Sequence, residues 1–339
     1  MVFNDASFFQ KKFFFFIKLF IFNNENFIDR FVYRKTPMSL IIDVRNLTKD
    51  FQEVRAVNDL SFSVPQGKVY GFLGQNGAGK STTIRMLLSL IKPTNGTIDI
   101  FGINLYKHRK EVLARIGAII EKPDLYKYFT ALENLRIFAL MSGVKLSEKK
   151  LMEQLQKVGL AERAKSKVKT YSQGMKQRLG IAVALVHDPD LVILDEPING
   201  LDPQGIADVR NLIRHLSKEL NKTIFISSHV LTEIELIADF MLIIDKGKKI
   251  VEGNVRELLN PSETDVEIET TSFESSLEKI KNSAWQQYFK NIAERKIIFR
   301  MNKNMIPEFI RGLSQIDVPV ISVRPRHSLE DYFLSLTAN

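Results

Sequence analysis

The sequence predicts an α/β protein with a large domain over residues 38–254 and a small domain over residues 262–339. From residue 41 to about 253, short apolar segments of strand length alternate with longer segments of helical periodicity, which is typical of α/β folds with a parallel sheet. Beyond residue 261, the segments 265–271, 296–301 and 318–323 predict strands, with helical patterns between and after them up to 328–336. A length of 339 residues accommodates both domains.

The large domain begins with a β-rich segment that is followed by a glycine-rich loop. Residues 41–65 predict antiparallel strands, and the strand predicted at 68–73 leads into Gly74-Gln75-Asn76-Gly77-Ala78-Gly79-Lys80-Ser81. The loop fits the pattern G-x-x-x-x-G-K-S/T, in which glycines let consecutive backbone N–H groups surround a triphosphate. Lys80 supplies charge to the outer phosphates, Ser81 can hold Mg²⁺, and the N-terminus of the helix predicted from Thr82 points at the phosphates. The loop alone predicts a nucleoside triphosphatase.

Two acidic residues and a histidine follow later strands of the same predicted sheet. The apolar segment 191–194 ends in Asp195-Glu196, and the segment 223–227 precedes His229. Asp195 is placed to hold Mg²⁺, and Glu196 is the candidate general base that polarises an attacking water. Two acids after an apolar strand also occur at the N-terminus of a helix, where they cap it and interact with its dipole. A histidine at a strand end is by itself more often a cap or a surface residue.

The segment Tyr171-Ser172-Gln173-Gly174-Met175-Lys176-Gln177 lies just upstream of the acidic pair. On its own it fits an ordinary helix that is capped by Ser172. Combined with the glycine-rich loop and the acids, it resembles the signature of the ATP-binding subunits of ABC (ATP-binding cassette) transporters. The resemblance covers residues 40–253, with the main motifs in order. It implies a P-loop NTPase (RecA-like) core with an antiparallel β subdomain and a helical signature subdomain at about 106–187.

The resemblance implies an ATPase that uses ATP and Mg²⁺. Lys80 would bind the phosphates, Glu196 would act as the base, and His229 would be the switch histidine that contacts the γ-phosphate. The implied metal ligands are Ser81, Asp195 and Glu121.

ABC cassettes hydrolyse ATP between two subunits, so the resemblance also implies a homodimer. The glycine-rich loop of one copy would face the signature of the other, where Ser172 and the backbone at Gly174 can donate hydrogen bonds to the γ-phosphate. Asp202 would link the two sites, and Phe51 would stack on adenine, although a phenylalanine here could equally be a core residue. The implied ATP-binding residues are Phe51, Gly74, Gln75, Asn76, Gly77, Ala78, Gly79, Lys80, Ser81, Thr82, Ser172, Gln173, Gly174 and Asp202.

Residues 262–339 are similar to the C-terminal extension of cassettes that are paired with ABC-2 type permeases, such as those for bacitracin or lantibiotic self-protection. This subgroup tends to have Glu at the position of Glu121, where most cassettes have Gln. The segment Lys122–Leu140 would be the surface on which the permease rests, and it includes the helix pattern of Leu132, Leu135, Phe138 and Ala139. The resemblance therefore implies an exporter subunit that is peripheral to the membrane, at its cytoplasmic face, with a separately encoded permease as its partner.

Two other functions stay open from the sequence. The first is a soluble ABC ATPase that acts on the ribosome or DNA, and the second is a nucleotide-binding regulator that does not hydrolyse. Ribosome-acting members carry two cassettes in one chain, and DNA-repair members insert long coiled coils before the signature; this sequence shows neither feature. The intact phosphate loop, acidic pair and histidine argue against the regulator. No nucleic-acid partner is expected.

The amino-acid composition excludes some kinds of functional site. The sequence contains no cysteine, which excludes disulfides and cysteine-ligated metals. The formal net charge of +9 is spread along the chain, as on an ordinary solvated surface, although nucleic acid or anionic lipid would also be attracted to it. No segment approaches the roughly 18 continuous apolar residues that are needed to cross a bilayer.

Residues 1–37 differ from the rest of the sequence. They hold 11 of the 24 phenylalanines and show no period that would bury one face. We expect that the native protein begins at Met38 and that this extension is not native. The alternative is an aromatic anchor at the membrane surface.

Overall fold

The computed structural model describes residues 39–259, 263–293 and 295–326. The chain divides into two compact units, Met1–Glu252 and Gly253–Asn339, and each is described by itself. The predicted domain limits, 38–254 and 262–339, stay a prediction. The extension 1–37 and the helical pattern predicted at 328–336 lie outside the described residues.

The elements up to residue 254 form two sheets and the helices that pack around them, and one short helix, residues 255–259, follows in the second unit. The strands are β1 (Leu40–Asp50), β2 (Arg55–Pro65), β3 (Val69–Leu73), β4 (Asn95–Ile100), β5 (Ile103–Asn104), β6 (Ile116–Ile119), β7 (Leu191–Asp195), β8 (Thr223–Ser228), β9 (Phe240–Asp245) and β10 (Lys248–Asn254). The α-helices are α1 (Lys80–Leu87), α2 (Arg109–Ala114), α3 (Ala131–Met141), α4 (Glu148–Lys157), α5 (Gln173–Ala184), α6 (Pro203–Lys218), α7 (Leu231–Ile237) and α8 (Val255–Leu259).

The central sheet has six strands in the order β10-β9-β3-β8-β7-β6. Strand β3 pairs in parallel with β8 and β9, and β7 pairs in parallel with β6 and β8. Every residue of β3, β7 and β8 is buried, because a parallel sheet is covered on both faces. Their near-continuous apolar runs are therefore visible in the sequence, and all three predicted strands are confirmed. The carboxyl ends of these strands bring the glycine-rich loop, the acidic pair and the histidine to one edge of the sheet.

The second sheet is antiparallel, in the order β2-β1-β4-β5. Strand β1 pairs with β2 and with β4, which confirms the antiparallel segment predicted over 41–65. Phe62 of β2 packs against three aromatic rings of the central sheet, Tyr70, Phe72 and Phe225, with ring centroids 5.9 to 6.1 Å apart. These aromatic contacts join the two sheets.

The region predicted as helical, about 106–187, contains α2 to α5 but also strand β6 of the central sheet. Four residues are too few for a period to distinguish a strand from a helix, so β6 was not predicted. Helix α3 begins with a capping box, in which Thr130 and Glu133 bond to each other's backbone N–H groups. Leu135, Phe138 and Ala139 are buried, so these three side chains pack in the interior, and the permease surface predicted over residues 122–140 stays a prediction that depends on the exposed residues of that segment. Among the described residues, the helices are too short or too polar to span a bilayer.

The second unit has strands β11 (Glu263–Thr270), β12 (Phe289–Ala293), β13 (Lys296–Asn302) and β14 (Val320–Arg326), with helices α9 (Phe273–Lys281) and α10 (Ile306–Gln315). The antiparallel sheet order is β12-β13-β11-β14, which gives the β-α-β-β-α-β ferredoxin-like arrangement. Phe309 of α10 packs on Phe299 of β13 and on Trp285, with ring centroids 4.6 and 5.1 Å apart. Strands β11, β13 and β14 confirm the prediction, whereas β12 was not predicted because exposed polar residues interrupt it.

Candidate nucleotide-binding and hydrolysis site

The glycine-rich loop connects β3 to α1 in a conformation that its glycines permit. Gly77 and Gly79 have φ values of 85° and 104°, in the left-handed region. A Cβ atom on Gly79 would lie 2.5 Å from the carbonyl oxygen of Ala56, so no other residue fits there without moving the backbone. The loop is closed by a hydrogen bond of 3.1 Å from the Ala78 N–H to the Gln75 carbonyl. Its tip, residues 75–77, is exposed, as a ligand-binding loop requires.

Helix α1 presents uncapped backbone N–H groups to this loop. Gly79 is the N-cap and supplies no side chain, and the first turn contains no acidic residue. The first N–H groups of a helix lack partners within the helix, and together they carry a partial positive charge. The end of α1, where Lys80, Ser81 and Thr82 lie, is therefore suited to bind phosphate.

The Lys80 ammonium group is buried at the centre of the site, with only 6% of the residue exposed. It donates to the carbonyl oxygens of Gly74 and Gln75, at 2.7 and 3.3 Å. It also lies 3.2 Å from the Oε1 atom of Glu196. The structure thus brings two predicted catalytic residues, Lys80 and Glu196, into direct contact.

Asp195 and Glu196 occupy different environments although they are adjacent. Asp195 ends β7 and is buried, and this burial raises the pKa of its carboxyl group, while hydrogen bonds from the hydroxyls of Ser227 and Ser81 act in the opposite direction. Glu196 has φ 49°, a left-handed conformation that is uncommon for residues other than glycine. Its Oε2 atom lies 2.8 Å from Nδ1 of His229, the third predicted catalytic residue.

Ser227 is a residue of the site that we did not predict. Its hydroxyl is 2.5 Å from Oδ1 of Asp195, and it accepts the backbone N–H of Glu196 at 2.9 Å. The signal in the sequence was a polar residue at the end of an otherwise apolar strand. That signal gains meaning only from the pairing of β7 with β8, which places Ser227 opposite Asp195.

The oxygen donors of the site suit Mg²⁺ that is bound partly by substrate phosphates, and not a metal ion whose ligands all come from the protein. Ser81 offers a hydroxyl and Asp195 a carboxylate, which are the hard ligands that Mg²⁺ prefers. Within the described parts of the chain, no cluster of three or more His, Cys, Asp or Glu residues could hold a metal ion. Mg²⁺ needs no such cluster, because it is commonly bound by one or two protein groups together with substrate phosphates.

Glu121, the other predicted metal ligand, pairs with a residue of α1. Its side chain is 62% exposed, and its Oε1 atom lies 3.1 Å from the Arg85 guanidinium. The backbone there has φ 60°, so the loop between β6 and α3 turns sharply at Glu121. The carboxylate thus contacts α1 on its surface, and a role as a metal ligand stays a prediction.

Phe51 lies just after β1 and is 50% exposed, so it is not a core residue. The Lys49 Nζ atom lies 5.0 Å from the centroid of its ring. An exposed ring at the edge of the antiparallel sheet is suited to stack on a base.

Ser172 and Asp202 each cap a helix of the first unit. The Ser172 hydroxyl accepts the N–H of Met175 at the start of α5, and Asp202 accepts the N–H of Gly205 at the start of α6. A Cβ atom on Gly174 would lie 3.4 Å from the Cα atom of Gly205, so the two helices approach closely here. Ser172, Gln173, Gly174 and Asp202 thus lie at neighbouring helix starts, and their described contacts are local.

Comparison with known proteins places these features in one family. The family model described as "ABC transporter" matches residues 57–199. Bacitracin transport ATP-binding protein BcrA of Bacillus licheniformis is 54% identical over 215 residues, which are 63% of this chain and 70% of the relative. The protein of the same name from Enterococcus faecalis is 39% identical over 300 residues, which are 88% of this chain and 97% of the relative.

A solved structure described as the ATP-binding subunit of an ABC transporter is 32% identical, with a TM-score of 0.57, and covers 64% of this chain and 91% of its own. The predicted P-loop NTPase fold and the predicted ATPase activity are therefore confirmed, and an action on the ribosome or DNA is not favoured. The chain belongs to the ABC transporter family, as an ATP-binding subunit that hydrolyses ATP.

Proposed function

We propose that two copies of this chain use ATP and Mg²⁺ to drive an ABC-2 type permease that exports a peptide antibiotic of the bacitracin or lantibiotic class. The observation that carries the proposal is the contact of one carboxylate, Glu196, with both Lys80 and His229 at the end of the central sheet. The cargo class rests on relatives that are named as bacitracin transport proteins. The chain would act at the cytoplasmic face of the membrane, without nucleic acid.

In ATP hydrolysis, different residues of the site would bind the phosphates, hold the metal and accept the proton. The loop 74–81 and Lys80 would bind the outer phosphates, while Ser81 and Asp195 would hold Mg²⁺, which neutralises phosphate charge. Glu196 would accept the proton of the attacking water, with His229 holding its second carboxylate oxygen. Because Lys80 contacts Glu196 directly, phosphate oxygens that bind Lys80 compete with this carboxylate for it. Binding of ATP would thereby release Glu196 toward the water.

The signature of the second copy would complete each site. The Ser172 oxygen accepts the N–H of Met175, so its own O–H stays able to donate to a phosphate oxygen. The N-terminus of α5, twelve residues long, adds a partial positive charge at the same place. Asp202, which starts the helix that approaches Gly174, would link the γ-phosphate of one site to the catalytic acid of the other.

We place the permease contact on three exposed aromatic residues that follow Glu121, namely Tyr126, Tyr128 and Phe129. Tyr128 is 77% exposed, and clusters of exposed large apolar side chains are typical of interaction sites. Backbone hydrogen bonds of 2.7 and 2.9 Å tie residues 127–129 to residues 168 and 169, just before the signature. A permease segment bound here would contact the loop of Glu121 on one side and the signature on the other.

Resistance in a sensitive bacterium tests the transport function. The chain would be expressed together with a candidate ABC-2 type permease from the same genome, and the inhibitory concentrations of bacitracin and of a lantibiotic would be measured. We expect a rise of several-fold that is abolished by Lys80→Ala, which leaves the permease intact. No rise for either peptide, with an active ATPase in the membrane, would contradict the proposed cargo class. ATPase activity stimulated by RNA or DNA would favour the soluble alternative.

The role of Glu121 is tested by separating its proposed contact with the metal from its observed ion pair with Arg85. Glu121→Ala should uncouple transport from ATP hydrolysis in reconstituted vesicles, because it removes the proposed metal ligand, while Glu121→Gln should be milder. Both changes also break the ion pair with Arg85. Arg85→Gln breaks the pair alone and is the matched control. Uncoupling by Arg85→Gln to the same extent as by Glu121→Ala would contradict a role of Glu121 at the metal.

A further inference from the structure

Ser227 is a fully buried serine whose hydroxyl contacts both acids of the site. It lies at the carboxyl end of β8, paired in register with Asp195. Its hydroxyl donates to Oδ1 of Asp195 and accepts the backbone N–H of Glu196. The site residues that the family motifs mark do not include it.

We propose that Ser227 is a positioning residue that orients Asp195 for the metal and Glu196 for the attacking water. The inference rests on the roles proposed above for these two acids. Ser227 itself would touch neither the nucleotide nor the metal.

The first effect of Ser227 is on the Asp195 carboxylate. With Oδ1 engaged at 2.5 Å, the carboxylate cannot rotate freely. Asp195 is almost fully buried, and a buried carboxylate without hydrogen bonds is costly. Removal of the hydroxyl would therefore loosen the orientation of Asp195, and a carboxylate that is not held in place binds a cation less well.

The second effect is on the backbone at Glu196. This residue has a left-handed φ of 49°, which a residue with a side chain adopts only when its surroundings hold it there. The bond from the Glu196 N–H to Ser227, 2.9 Å long, holds the backbone, while Lys80 and His229 hold the two carboxylate oxygens. Without Ser227 the carboxylate would still have its partners, but its backbone would be free to relax.

Ser228 provides a matched control on the same strand. It is the same residue type and is also fully buried. Its hydroxyl accepts the N–H of Val230 at 2.9 Å and donates to the Val230 carbonyl at 3.3 Å. Those bonds stay within one turn and reach neither acid, so Ser228→Ala removes a buried hydroxyl without touching the acidic pair.

The test compares Ser227→Ala with Ser228→Ala in the full chain. The affinity for Mn²⁺, a spectroscopic substitute for Mg²⁺, would be measured by electron paramagnetic resonance in the presence of a non-hydrolysable ATP analogue. Turnover and the KM for Mg²⁺ would be measured with ATP. For Ser227→Ala we expect Mn²⁺ binding to be weakened about ten-fold and turnover to be lowered by at least about ten-fold, as for other residues that orient metal ligands. Nucleotide affinity without metal should change less than two-fold, since the glycine-rich loop provides it.

A second pair of variants keeps the inference testable if Ser227→Ala fails to fold. Ser227→Thr and Ser227→Val add the same volume, but only Thr keeps the hydroxyl. Rescue of Mn²⁺ affinity by Thr and not by Val supports the inference. Equal Mn²⁺ affinity and turnover in Thr and Val, or in Ser227→Ala and Ser228→Ala, would overturn it.

The same experiment separates this inference from the proposed metal site. If Asp195→Asn weakens Mn²⁺ binding while Ser227→Ala does not, only the positioning role fails. If Asp195→Asn leaves Mn²⁺ affinity unchanged, the proposed metal role of Asp195 is itself wrong.

Discussion

Replacement of Glu196 by glutamine removes one negative charge from the centre of the site while preserving its shape. In the structure this carboxylate contacts Lys80 at 3.2 Å and His229 at 2.8 Å, and its side chain is only 19% exposed. A glutamine can still accept a hydrogen bond from Lys80 through its carbonyl oxygen. It cannot accept a proton from water at neutral pH. The substitution therefore separates the binding of ATP from its hydrolysis.

The magnitude follows from the two interactions that change. A positioned general base typically contributes 10²- to 10⁴-fold, so turnover should fall by about this factor, or roughly 3 to 5 kcal/mol in the barrier. The affinity for ATP should rise, because Lys80 no longer has a charged competitor for the phosphates. A hydrogen bond that involves a charged group is worth roughly 1.5 to 3 kcal/mol, so the Kd for ATP should fall by about ten-fold at the lower end of this range.

Three measurements check this prediction. Phosphate release gives turnover, a fluorescent ATP analogue gives affinity, and size-exclusion chromatography with ATP and Mg²⁺ should show an accumulated dimer. Glu219→Gln is the charge-matched control, since Glu219 is exposed on the surface, where its Oε2 atom lies 2.9 Å from Nδ1 of His215. A variant at position 196 that keeps most of its turnover would show that another residue is the base.

The other predictions concern the loop, the second unit and the extension. Gly79→Ala should weaken ATP binding by roughly 5- to 150-fold, since the new Cβ would meet the carbonyl of Ala56 at a φ of 104°, a strain of roughly 1 to 3 kcal/mol; nucleotide titration checks this. Gly312→Ala should destabilise the second unit by about 1 to 3 kcal/mol, because its Cβ would overlap the Trp285 indole. Fluorescence of Trp285, the single tryptophan, reports that unfolding, while ATPase activity should persist. Deletion of residues 1–37 should leave the melting temperature and ATPase activity unchanged, and a large fall in melting temperature would contradict this.

Much of the fold could be predicted because buried strands are recognisable in the sequence as runs of apolar residues. Strands β3, β7 and β8 are covered on both faces, so they are largely apolar runs, and each leads directly into residues of the site. Short or half-exposed strands lack a clear apolar pattern, and β6 and β12 were not predicted for this reason. The apolar positions of α3 were recognised, but periodicity does not say what they pack against. Leu135 and Phe138 proved to be buried, and the exposed aromatic residues lie in the loop before the helix.

The sequence by itself determined which chemistry the site can perform. The phosphate loop, the two acids and the histidine can each be recognised from the residues next to them along the chain. Which groups contact each other was decided by the tertiary structure. Asp195 and Ser227 are 32 residues apart, and they meet only because β7 and β8 pair in one register. Likewise, Glu121 pairs with Arg85 across 36 residues, which no local pattern indicates. Local motifs are set by neighbouring residues along the chain, whereas such contacts depend on how the strands and helices pack.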